Sequence, residues 1–312
     1  MIESVGTPLM WGVFGVVVVT ALALDLFVFH REAHEVRFRE AAVWVAIWMS
    51  LACAFGFWTW YEAGAERGLE FFAGYLIEQA LSVDNIFVFI IIFKYFATPP
   101  EYRHRVLFWG ILGAVLLRGL FVVLGVALIS QFRWVLYVFG VFLVYTGIKI
   151  LRHSEMEMDP EQNPAIRFLQ RHLRIVQRHE GQKFLVRQDG KLWATPLLVV
   201  LLVIEATDVV FAVDSIPAIF GVTDDPFIIF TSNIFAVLGL RALYFVLHGL
   251  MNKFDFLHYG LGLVLAFVGV KMLASEWVHI PIQWSLGVIV ALLAGSILLS
   301  WFFDPKKKPP PA

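Results

Sequence analysis

The stretch EATDVVFAVDSIPAIF, residues 205–220, sets Glu205, Asp208, Asp214 and Pro217 inside a run that is otherwise soluble in lipid. An ionised carboxylate at bilayer depth costs roughly 2.5–3.5 kcal/mol on insertion scales. Whether that cost applies depends on the rest of the chain. The 312 residues are 60% hydrophobic and 16% charged, against about 25% charged in a soluble domain, and the mean hydropathy is +0.77. The composition is that of an all-α polytopic membrane protein, so the acids lie at depth and need a reason.

A membrane-crossing helix needs about 20 predominantly apolar residues. Nine such segments are expected, at about 9–29, 40–60, 69–93, 106–129, 134–151, 195–219, 227–248, 256–274 and 281–303. Alternate connections differ in basic residues. One side collects 18 Lys and Arg, eight of them between 152 and 191, and the other holds Arg67 and Arg133 only. The positive-inside rule then predicts the N-terminus outside and the C-terminus in the cytoplasm. MIESVGTPLMWG (1–12) lacks the basic start of a signal peptide and is expected to stay on the chain. The one cysteine, Cys53, sits in an apolar run and reads as packing. His30 and His34, four apart at the inner end of the first segment, are weighed as metal ligands but read as an interface cap.

The opening stretch has a counterpart. EQALSVDNIF (78–87) aligns with DVVFAVDSIP (208–217), pairing Glu78 with Asp208, Asp84 with Asp214 and Asn85 with Ser215. VLLRGLF (115–121) then parallels LGLRALY (238–244), pairing Arg118 with Arg241, and TGIKIL (146–151) parallels VGVKML (268–273), pairing Lys149 with Lys271. The third and sixth segments run in opposite directions, so 3–5 and 6–8 form a 3+3 inverted repeat. Such repeats build secondary transporters with a site near the midplane. The organisation expected is peripheral spans in 1–68, one repeat in 69–151, a basic cytoplasmic loop in 152–194, the second repeat in 195–274, and a last span with a basic tail in 275–312. Within the loop, 164–176 has the spacing of an amphipathic surface helix, and Gln188-Asp189-Gly190 that of a hairpin turn.

Six acids, Asp25, Glu78, Asp84, Glu205, Asp208 and Asp214, are assigned to the spans. Unpaired and charged they would cost on the order of 15–20 kcal/mol, and Arg118 and Arg241 are too few to neutralise them. Arg118, Arg241 and Asp25 are candidates for ion pairing or gating. Lys149 and Lys271, near span ends, can snorkel to the interface. Glu205 and Asp208, three apart, share a helix face, whereas Asp214 lies opposite on a continuous helix. Pro217 removes the bond to the Val213 carbonyl, and a break there would swing Asp214 toward Asp208. The candidate ligands Glu78, Asp84, Asn85, Glu205, Asp208, Asp214 and Ser215, with Ser82 and Thr207 nearby, are all oxygen donors. They suit a hard divalent cation such as Mg²⁺, Ca²⁺ or Mn²⁺. Clustered carboxylates repel one another until a cation or a proton neutralises them, which makes proton-for-metal exchange the natural cycle. Ala212 stands opposite Ser82 and Tyr75 opposite Glu205, so the two halves of the site are not identical.

LDLFVFHR (24–31), EQALSVDN (78–85), IEATDVVFAVDSIPAIFGVTDDPF (204–227) and TSNIFAVLGLRALYF (231–245) resemble the TerC family, Alx type, within the LysE-like transporter superfamily. The resemblance implies a bacterial inner-membrane exporter of Mn²⁺ with a link to alkaline pH. It also implies a metal path through positions 78, 84, 205, 208 and 214. It implies no tightly bound cofactor and no enzymatic activity. The partners expected are a divalent metal ion, protons and the bilayer, with no nucleic acid; oligomeric state has no signal in the sequence. Two other classes compete. A non-transporting scaffold or assembly factor would place function in the 152–192 loop. An intramembrane aspartyl protease would need Tyr-Asp and Gly-x-Gly-Asp motifs, whereas Asp84 follows Ser-Val and Asp214 follows Ala-Val.

Overall fold

The computed structural model describes residues 4–27, 38–152, 174–176, 180–188, 190–248, 256–278 and 280–302, apart from the side chains of 25–27 and 84. His30, His34, most of the 164–176 segment and the basic tail lie outside the described residues, as do the side chains of Asp25 and Asp84.

The described chain is helical, with one small hairpin. In order come α1 (Pro8–Phe27), α2 (Phe38–Ala63), α3 (Ala65–Tyr95), α4 (Pro100–Gln131) and α5 (Val135–Arg152), then β1 (Leu185–Gln188) and β2 (Lys191–Ala194), then α6 (Pro196–Phe220), α7 (Pro226–Leu238), α8 (Leu240–His248), α9 (Leu257–Leu273) and α10 (Ile282–Phe302). Six helices are long and apolar enough to cross a membrane: α2, α3, α4, α5, α6 and α10. The pair α7 and α8, bent by 42°, makes a seventh if taken as one span, while α1 and α9 are shorter apolar helices. Each helix falls on one of the expected apolar segments.

Local chemistry sets the boundaries. Proline stands at the first helical turn of α4, α6 and α7, where its missing N–H costs nothing and its fixed φ suits the helix. Asp225 caps α7 by accepting from the N–H groups of Phe227 (2.8 Å) and Ile228 (3.2 Å), and from Val5 N–H at 2.7 Å, which ties the N-terminal segment to the cap. The expected hairpin is present, with Gln188 opposite Lys191 and Gly190 at φ +72°. The end of the predicted amphipathic helix is different. Residues 174–176 are extended, with Val176 N–H donating to Ala194 C=O (3.0 Å) and Ala194 N–H to Arg174 C=O (2.8 Å). Pairing with β2 overrides the helical spacing there.

The helix α3 forms the axis: 76% of its apolar stretch is buried, against 28% for α2, α4, α5 and α10. It packs on α2, α6 and α7. Rings from α1, α2, α3 and α7, including Phe14, Phe55, Phe71 and Phe235, fill one side of it. The tightest seam joins α5 to α9. A Cβ added at Gly147 would lie 2.6 Å from the Gly262 carbonyl oxygen, and one at Gly269 would lie 2.7 Å from that of Gly140. These backbones touch because glycine leaves them room, as at small-residue interfaces in membranes. Under the pairing of Lys149 with Lys271, the contacts Gly147–Gly262 and Gly140–Gly269 exchange with each other.

Candidate functional site

Four helices each bring one polar side chain to the centre. Glu78 comes from α3, Arg118 from α4, Asp208 from α6 and Asn233 from α7, and all four are buried. Arg118, fully buried, donates through Nη1 to Glu78 Oε1 and to Asn233 Oδ1 at 3.0 Å, and through Nη2 to Asp208 Oδ1 at 3.1 Å. Asn233 Nδ2 donates to Glu78 Oε2 at 3.0 Å and closes the ring. Charges taken out of water are tolerated only with good pairing and satisfied hydrogen bonds; this ring supplies the pairing and most of the hydrogen bonds. It is also unbalanced, since two carboxyl groups face one guanidinium. Asp208 Oδ2 and Arg118 Nε have no partner.

More orphaned polar atoms sit on the same two acid-bearing helices: Gln79 Oε1, Ser82 Oγ and Asn85 Nδ2 on α3, and Ser215 Oγ on α6. A buried polar atom left unpaired costs about 1–3 kcal/mol. Such a concentration in one core marks a place built for something other than stability.

Among the described side chains, Glu205 and Asp214 stand apart from the ring. Glu205 lies one turn before Asp208 and, as the spacing predicts, both face α4. Its carboxylate rests against Gly113, where any Cβ would overlap both oxygens, and its Oε2 is buried without a partner. Asp214 does not join this group. Its Oδ1 accepts from Thr146 of α5 at 3.4 Å, because α6 runs unbroken through Pro217 to Phe220. Pro217 stands three residues before the helix ends and forfeits one backbone bond, too little to redirect the chain. The break lies instead in the next span. Gly239, a poor helix former, separates α7 from α8, and its N–H returns to Val237 C=O. That break lines a small cavity shared by Asp208 and Arg241. Among the described residues, no three His, Cys, Asp or Glu side chains converge closely enough to hold a metal ion. Between Glu78 and Asp208 the reason is plain: Arg118 occupies the space between them.

Sequence reasoning missed Asn233 and Glu70. Asn233 follows Thr231 and Ser232 in α7, three consecutive fully buried polar residues in an apolar helix, and that run was the available signal. Glu70, buried in the first turns of α3, is a further acid within the spans. It pairs with Arg67 at 2.8 Å and accepts from Thr223 Oγ1 at 2.6 Å, joining α3 to the connection between α6 and α7. Lys271, half-buried near the end of α9, lines an open cavity with Glu66, Glu70 and Asp224.

A family model described as "Integral membrane protein TerC family" matches residues 63–308. A membrane protein of Myxococcus xanthus, STKORF319, is 50% identical over 297 residues, covering 95% of this chain and 93% of the relative. Proteins named membrane-bound redox modulator Alx are 47% identical over 308 residues in Salmonella typhi, covering 96% of this chain and 95% of the relative, and 46% identical over 308 residues in Escherichia coli strain K12, covering 96% of each. No solved structure matches.

Proposed function

This chain belongs to the TerC family of integral membrane proteins, and on that premise we propose that it is a secondary transporter that exports a divalent cation, Mn²⁺ first among candidates, across the bacterial inner membrane. The observation that carries the reading is the buried ring of Glu78, Arg118, Asp208 and Asn233, with two carboxylates against one guanidinium and an unpartnered Asp208 oxygen. Such a charge deficit at the centre of a membrane bundle is costly unless a cation visits it. Oxygen donors from carboxylate, amide and hydroxyl select hard divalent ions over soft ones.

The inverted repeat belongs to the same proposal. It is supported by the exchange of the two glycine contacts between α5 and α9 and by the break in the α7–α8 span beside Asp208. Interrupted spans lining the site are the usual device of repeat-built transporters. The N-terminus then faces outward and the C-terminus inward, and protons returning on the emptied carboxylates would drive export.

The test is the metal content of cells under Mn²⁺ load. Cells expressing the protein should hold less Mn²⁺ than cells without it, and Asp208→Asn should abolish the difference. Equal Mn²⁺ in both, with the protein present in the membrane, overturns export.

A further inference from the structure

We propose that Arg118 is a tethered stand-in for the transported cation, and that Glu205 is the residue that receives the Arg118 guanidinium when the cation enters. This rests on the transporter reading above and assigns Glu205 a role other than ligand.

The oxygens require a displacement. Glu78 and Asp208 offer four carboxylate oxygens, and three are taken: Glu78 Oε1 and Asp208 Oδ1 by Arg118, and Glu78 Oε2 by Asn233. Only Asp208 Oδ2 is open. A hard divalent ion takes about six to eight oxygens, so it cannot share these carboxylates with the guanidinium. Once Arg118 leaves, Asn233 Oδ1 also loses its donor and becomes a further oxygen facing the same point. The ring thus holds its ligands in place, with an arginine where the metal would sit.

A displaced arginine must go somewhere. Arginine stays protonated under all ordinary conditions, and left unpaired in a buried site it would be costly. Glu205 answers this need. It precedes Asp208 by three residues, so the two side chains are neighbours on one face of α6. Its carboxylate lies against Gly113, five residues before Arg118 on α4, and its Oε2 is buried without a partner. Beside Asp208, a small cavity is walled by Gly110, Ile111 and Ala114 of α4. Charge is balanced only in the loaded state: in the empty state the guanidinium neutralises part of the Glu78–Asp208 pair, whereas with the cation bound the cation neutralises that pair while Arg118 pairs with Glu205.

The experiment is a double-mutant cycle on Mn²⁺ binding to the purified full-length protein in micelles, read by the electron paramagnetic resonance signal of free Mn²⁺. Glu205→Gln should weaken binding about tenfold, a coupling of the size found between interacting groups. With Arg118→Gln also present, the same Glu205 change should move Kd by less than about threefold, because no guanidinium remains to be received. An undiminished effect of Glu205→Gln without Arg118 would make Glu205 a direct ligand and overturn the proposal, as would no effect in the wild type. If Arg118→Gln does not fold, a Mn²⁺-bound structure of the unmodified chain decides. Arg118 at hydrogen-bond distance from Glu205 supports the transfer; Arg118 still on Glu78 and Asp208 refutes it. Failure of the unmodified protein to bind Mn²⁺, Mg²⁺ or Ca²⁺ would remove the transporter reading itself, a separate result.

Discussion

Replacing Arg118 with methionine keeps most of the side-chain volume and removes the charge at the centre of the ring. Two routes give the size of the effect. Removing one partner of a buried ion pair costs about 3–5 kcal/mol. Arg118 also makes three hydrogen bonds, and hydrogen bonds between membrane helices are worth roughly 0.6–1.7 kcal/mol each, which gives about 2–5 kcal/mol. The routes overlap, so Arg118→Met should lose about 3–5 kcal/mol. The cause is the stranding of Glu78 and Asp208, so removing their charges should restore most of the loss. Arg118→Met combined with Glu78→Gln and Asp208→Asn should come within about 2 kcal/mol of the wild type, the remainder being lost hydrogen bonds. Reversible unfolding in mixed micelles by titration with a denaturing detergent, followed by helical circular dichroism, measures both variants. An Arg118→Met protein within about 1 kcal/mol of wild type, or a triple variant no better than the single, would refute the view that this ring is an ion-pair network with a charge deficit.

Asn233→Leu should cost about 2–3 kcal/mol in the same assay, since it deletes a donor to Glu78 and an acceptor from Arg118 and each bond involves a charged group. Gly147→Ala should cost about 1–3 kcal/mol through overpacking, because the new methyl meets the Gly262 carbonyl at 2.6 Å; Gly287→Ala, with nothing within 4 Å, should be neutral or stabilising by up to about 1 kcal/mol. Asp225→Ala should cost about 1–2 kcal/mol through loss of the helix cap, and hydrogen exchange should quicken at Val5, Phe227 and Ile228 together, because one carboxylate holds all three amides.

Much of this architecture was legible in the chain, and the part that was not has a common cause. Apolar length located each described helix, and helical phase placed Glu205 and Asp208 on one face. Phase also put Asp214 on the other face, and the structure keeps it there, beside Thr146; the supposed rescue by Pro217 failed because a proline in the last turn of a helix disturbs too little. What phase cannot supply is the identity of the neighbour. That Arg118 bridges Glu78 and Asp208, 40 and 90 residues away in sequence, is a long-range fact. Asn233 was likewise hidden in an apolar run and joins the site only through the packing of α7 on α3 and α4. The break at Gly239 was masked by hydropathy that continues through Leu238 and Leu240, while the end of the 164–176 segment was decided by a strand partner outside it.

The most direct test of the central claim is Mn²⁺ flux into proteoliposomes made with the purified protein and an internal Mn²⁺-sensitive dye. Wild-type vesicles should fill faster than protein-free ones, and the rate should fall to background with Glu78→Gln or Asp208→Asn, while Asp224→Asn, at an exposed connection away from the ring, should leave it unchanged. Flux that persists through both ring substitutions, or no flux by the folded wild type with any divalent cation, would contradict the assignment of transport to this buried ring.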